Sequence, residues 1–117
     1  MHACADKAIP AVVELGGKSA GIVFPDADLD EVVDSARHAI FGVAGQICTA
    51  MSRVVVHKSV KDELVDKLVD LSKSLKIGPG IEKDTDLTPV ISENQLQKVE
   101  GYARSGIQAV SYTHLRA

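Results

Sequence analysis

The chain has 117 residues, 25% charged and 45% hydrophobic, with a formal charge of −3 and a pI near 5.7. That balance suits one globular domain, excludes wholesale disorder, and gives no basis for a nucleic-acid or anionic-membrane partner. No apolar run approaches the ~20 residues needed to span a bilayer.

The opening MHACADKAIPAVVELGG lacks the basic start and apolar core of a signal peptide. PAVVEL at 10–15 is rich in β-branched residues and predicts a short buried strand; GIVF at 21–24 predicts a second. ELGGKSAG between them reads as a glycine turn. PDADLDE then starts a helix, with Asp28 as N-cap, Glu31 three residues on, and acidic charge at the positive helix end. Leu29, Val32, Val33, Ala36, Ile40 and Val43 share one face at helical spacing, and Gly42 and Gly45 end it. SRVVVH at 52–57 is the clearest strand. Ser59 is placed to cap a helix whose apolar stripe is Val60, Leu64, Val65, Leu68, Leu71 and Leu75. A connection over 76–90, punctuated by glycine and proline, leads to a last helix. Ser92 with Gln95 forms its capping-box signature, and it is expected to run to about Arg104.

The order strand, strand, helix, strand, helix, helix predicts an α/β fold with a mostly parallel sheet. Three short strands leave open edges, which natural sheets rarely leave bare, so the unit reads as incomplete.

Two cysteines, Cys4 and Cys48, form no C-x-x-C, and the four histidines do not join them at ligand spacing, so no metal site is expected. Without an export signal, reduced thiols and a cytoplasmic location are expected. Cys48 falls in a loop between a helix and a strand, where side chains face clefts. Glu14 ends an apolar strand and enters a glycine turn, a common site for function in α/β folds. A cysteine and a carboxylate can make a nucleophile and a base. Equally, Cys48 can be a packed small hydrophobe and Glu14 a solvated strand-end carboxylate. The preceding helix turns its partly negative end toward the loop, which does not favour a thiolate, so any activation comes from elsewhere.

VELGGKSAGIVFPDADLDEVV followed by GQICTAMSRVVVH resembles the NAD(P)-dependent aldehyde dehydrogenase superfamily. The glutamate motif ELGGKS lies at 14–19 and the cysteine motif GQxCTA at 45–50, with Glu14 and Cys48 34 residues apart. KIGPG, DTDLTPVIS and QLQKVEGY continue the likeness to about Ala109. The resemblance implies that Cys48 adds as thiolate to an aldehyde, giving a thiohemiacetal. Hydride loss to the nicotinamide of NAD or NADP leaves a thioester, which water hydrolyses with Glu14 as general base. The Cys48 N–H would be half of an oxyanion hole. By the same resemblance Leu15 and Gly16 lie against the nicotinamide, and Gln95 and Lys98 against its ribose. On their own, Gln95 reads equally as a capping residue and Lys98 as a solvated charge. Lys18 and Ser19 read as turn and packing residues, Arg53 as a structural ion-pair partner, and Cys4 as inert.

The implied partner is a small-molecule aldehyde, and the implied parent a homo-oligomer. Family members are several times longer. The segment bearing the cofactor domain and the downstream ribose-binding glutamate motif are not among these residues, so this chain is expected to be an inactive, poorly folded fragment. The resemblance implies that residues 1–110 are part of a three-layer α/β catalytic domain together with the strand leading into it, and 111–117, within VSYTHLRA, read as a non-native tail resembling a translated sequencing-adaptor read. Two alternatives stand beside this: a coenzyme A-acylating relative, which retention of Glu14 disfavours, and a non-catalytic interaction module reusing the fold.

Overall fold

The computed structural model describes residues 2–109. The chain divides into two compact units, with the boundary between Lys76 and Ile77.

The first unit opens with a short helix, α1 (His2–Ala5), then a hydrogen-bonded turn over 6–8 and a stretch to Ser19 without regular structure. Strand β1 (Ala20–Val23) follows, then helix α2 (Leu29–Ala36), strand β2 (Arg53–Val56) and helix α3 (Lys61–Ser74). β1 and β2 pair in parallel, with Ala20 opposite Arg53, Ile22 opposite Val55 and Val23 opposite Val56. The fold is therefore a partial α/β piece with a small parallel sheet. The pairing is parallel because the connection between the strands is long and carries α2, as a crossover requires.

The strand expected at 10–15 does not form. A strand needs a ladder partner, and among the described residues β1 and β2 pair only with each other. Val12 stands 92% exposed, and Pro10 has no N–H to offer a ladder.

Asp28 caps α2 as expected: its Oδ1 accepts from the N–H of Asp30 at 2.9 Å and of Glu31 at 3.3 Å. Two of the four unpaired donors at the helix start are thereby satisfied. The helical path continues past Ala36 as a π-turn over Arg37–Phe41 and leaves helical geometry at Gly42. Val43, Ala44 and Gly45 then adopt left-handed backbone, with φ of 49°, 53° and 73°. A β-carbon on Gly45 would lie 3.1 Å from the Ile40 carbonyl oxygen, so glycine is required there. Val43 consequently leaves the apolar face that helical periodicity assigned to it and is exposed.

Helix α3 starts one residue later than the serine cap predicts. Ser59 instead bonds through its hydroxyl to His57 Nδ1 at 2.8 Å, and the N-cap position falls to Val60, which makes no side-chain capping bond. Val60 takes that position because it packs on the core formed by Val23, Leu29 and Leu64. Val32, Val33, Val56 and Leu68 complete this cluster. Period two along the strands directs Val23 and Val56 into it. The next residues in register, Ile22 and Val55, point the other way and are 66% and 55% exposed. A hydrogen bond of 2.5 Å between Lys67 and Asp30 ties α3 to α2. That bond is the main cause raising the Lys67 pKa above its ordinary value. The tie is therefore complete at neutral pH and is lost only as pH climbs through that raised value.

The second unit holds a parallel bridge between Ile77 and Leu87 and helix α4 (Glu93–Gln108). Ser92 Oγ accepts from the Gln95 N–H at 3.2 Å, the predicted cap. The helix runs four residues beyond Arg104, supported by an Arg104–Glu100 pair at 2.6 Å. Residues 111–117, read from sequence as a foreign tail, lie outside the described residues.

Candidate active site

Two loops lead into the two strands. The ELGGKS segment ends at Ser19, directly before β1, and the ICTA segment at 47–50 is a turn shortly before β2. Because β1 and β2 are paired neighbours running the same way, the loops at their N-terminal ends are neighbours too. The Arg53 N–H donates to the Ser19 carbonyl at 3.3 Å, extending the ladder one step into the first loop.

The loops meet at Gly17. A β-carbon there would lie 3.2 Å from the Cys48 carbonyl oxygen, so any larger residue would have to displace the cysteine turn. Sequence reading passed over Gly17; the signal available was the second glycine of the pair. The cysteine turn is closed by the Ala50 N–H donating to the Ile47 carbonyl at 3.0 Å, and Ala50 is buried. Its exit is fixed by the Met51 N–H donating to the Ala39 carbonyl at 2.9 Å. The Met51 thioether lies over Gly21, filling the space a β-carbon would need. Its entry is fixed by Gln46, whose backbone N–H and side-chain amide both donate to the Val43 carbonyl at 3.1 Å.

Cys48 is a free thiol and exposed; Cys4 is also free and half-buried, on α1. Glu14 is exposed on the first loop. The structure thus brings the glutamate loop against the cysteine loop, and it shows no hydrogen bond joining Glu14 to Cys48. Leu15 is 73% exposed, and the space where a Gly16 β-carbon would project is open. Lys18 acts as a turn residue, its Nζ reaching the Gly17 carbonyl at 3.1 Å. Arg53 differs from expectation: its Nε donates to the Lys18 carbonyl at 3.1 Å, a backbone partner in place of a carboxylate. Gln95 and Lys98 are both on α4 in the second unit, three residues apart and so on one face. Lys98 borders a shallow depression of about 280 Å³ with Gln97, Gly101, Tyr102 and Ser105.

The profile of the aldehyde dehydrogenase family matches residues 1–112. The chain belongs to the aldehyde dehydrogenase family. A probable betaine aldehyde dehydrogenase of Schizosaccharomyces pombe is 45% identical over 107 residues, covering 92% of this chain and 21% of that relative. Among solved structures, betaine aldehyde dehydrogenase of Staphylococcus aureus in complex with NAD+ superposes with a TM-score of 0.75 at 40% identity, covering 86% of this chain and 20% of that one. The NAD+ complex of an aldehyde dehydrogenase from Bacillus cereus gives a TM-score of 0.78 at 36% identity, covering 92% and 22%. This aldehyde dehydrogenase chain therefore spans about a fifth of the length of the relatives it matches. Among its described residues no helix is long and apolar enough to cross a membrane.

Proposed function

We propose that this segment carries the nucleophile and the general base of an NAD(P)+-dependent aldehyde dehydrogenase that oxidises an aldehyde to a carboxylic acid. The observation that carries the reading is the contact of the ELGGKS turn with the GQICTA turn at Gly17 and Cys48.

The Cys48 thiolate adds to the aldehyde carbon and forms the C–S bond; the carbonyl π pair moves to oxygen. The Cys48 backbone N–H, which donates to no backbone carbonyl among the described residues, is free to receive that oxyanion. NAD(P)+, when bound, is the hydride acceptor that turns the adduct into a thioester. The open backbone at Leu15 and Gly16 fits a flat ring laid against it. Gln95 and Lys98, three apart on α4, are the proposed ribose contacts. Glu14 takes a proton from water as its oxygen attacks the thioester carbon, and the Cys48 sulfur leaves with the C–S electron pair. The full-length enzyme is proposed to act in the cytoplasm as a homo-oligomer on a small-molecule aldehyde, with no nucleic-acid or membrane partner. The net charge of −3 is in keeping with the last point.

The reading is tested by trapping the thioester. A full-length enzyme containing this segment is mixed with NAD+ and betaine aldehyde or a simple aliphatic aldehyde, quenched in acid within one turnover, and digested. Mass spectrometry is expected to find the acyl group on the peptide bearing Cys48. An unmodified Cys48 in a turning-over enzyme would overturn it.

Residues 1–117 expressed alone are expected to give no turnover. Holding a cofactor against the reacting carbon is worth about 7–11 kcal/mol of barrier, and the open sheet face at Ile22, Phe24 and Val55 leaves the fold without one layer. Cofactor reduction with a panel of aldehydes and thermal unfolding measure this. A sharp unfolding transition in a soluble monomer would refute the poor folding, and Cys48-dependent turnover the inactivity.

A further inference from the structure

Arg53 reaches across 35 residues of sequence to the glutamate loop, and it does so twice. Its backbone N–H donates to the Ser19 carbonyl at 3.3 Å and its side-chain Nε to the Lys18 carbonyl at 3.1 Å. Two consecutive carbonyls at the end of ELGGKS are thus held by the residue that begins β2. The first bond belongs to the strand ladder and any residue would make it. The second requires a side chain with a fixed, directional N–H donor about three carbons out, which arginine supplies and lysine does not.

The bond's position gives it a consequence for the chemistry. Arg53 lies five residues after Cys48, and Lys18 four residues after Glu14. Between Glu14 and Lys18, Gly17 leaves room for the Cys48 carbonyl oxygen, which stands 3.2 Å from where a β-carbon would lie. The stretch 9–19 forms no strand or helix that would hold it otherwise. The ties shown from Glu14–Ser19 to the strand and turn beside it are the ladder bond at Ser19, the Arg53 bond at Lys18, and the close approach at Gly17. A base that activates water must stand within hydrogen-bond reach of it, and small misplacements cost large factors in rate.

We propose that Arg53 is a positioning residue: its guanidinium, through the Lys18 carbonyl, fixes the glutamate loop against the cysteine turn and so sets the alignment of Glu14 for thioester hydrolysis. This rests on the function proposed above. Arg53 touches neither substrate nor cofactor in this scheme. Its loss slows the Glu14 step more than the Cys48 step, because the cysteine turn keeps its own ties at Gln46, Ala50 and Met51.

The test compares Arg53→Lys, Arg53→Gln and Arg53→Ala in a full-length enzyme containing the segment, with circular dichroism to select the folded ones. Rapid-quench measurement of the first-turnover burst of reduced cofactor reports the cysteine step; steady-state turnover reports hydrolysis. In the folded variants the ratio of burst rate to steady-state rate is expected to rise about tenfold, the loss of one charge-assisted hydrogen bond. Arg53→Lys retains the charge without the fixed fork and should show most of this rise. An unchanged ratio in a folded variant, or burst and steady state falling together, would overturn the proposal. Failure of the underlying reading shows separately, as acyl transfer in wild type that bypasses Cys48 or hydrolysis indifferent to Glu14→Gln.

Discussion

Replacing Cys48 with alanine in a full-length enzyme containing this segment is expected to lower aldehyde-dependent NAD(P)H formation below detection, whereas Cys4→Ala keeps most of it. The asymmetry follows from where the two thiols stand. Cys48 is exposed at the tip of a turn whose entry, closure and exit are each hydrogen-bonded, so the thiol is presented at a fixed place. Cys4 is half-buried on a four-residue helix at the start of the chain, away from both motif loops in sequence. Alanine removes the only atom of residue 48 able to form a covalent bond to the substrate, and a small side chain in an exposed turn costs little stability. The check is absorbance of the reduced cofactor over a range of aldehyde concentrations. Retention of a substantial rate in Cys48→Ala would assign the chemistry to another group.

Glu14→Gln is expected to separate the two halves of the reaction. The first-turnover burst stays largely intact, and steady-state turnover falls by roughly 10²–10⁴-fold, the usual span of a general base. Glutamine preserves the length and shape of the side chain but cannot accept a proton from water. The thioester then accumulates on Cys48 and should be recoverable after an acid quench. The exposed position of Glu14 on a loop without regular structure means that the substitution leaves the core of Val23, Leu29 and Leu64 untouched. Loss of burst and turnover together would mean that Glu14 acts on the thiol or on folding.

The sequence by itself determined the elements whose signals are local. The cap at Asp28, the helix behind it, the VVV strand and the cap at Ser92 all form where short-range rules place them, because each depends on hydrogen bonds and apolar spacing within a few residues. The family was legible as well, since the residue types of its two motifs at a set interval survive in the sequence whatever the fold does with them. Tertiary structure decided the rest. PAVVEL has strand composition but no strand beside it, so its β-branched residues stay exposed. Ser59 has cap chemistry, yet its hydroxyl bonds to His57 and the cap position falls to Val60, which packs on the core. Val43 has helical spacing, yet the left-handed turn into Gly45 takes it off the helix. Arg53 carries a charge that suggests an ion pair, and a carbonyl 35 residues away takes its place. Contact between Gly17 and Cys48 could not be read locally, because it exists only once β1 and β2 pair in parallel and carry their leading loops together. Spacing along a chain names candidate groups, and only a register between distant strands brings the loops that carry them together.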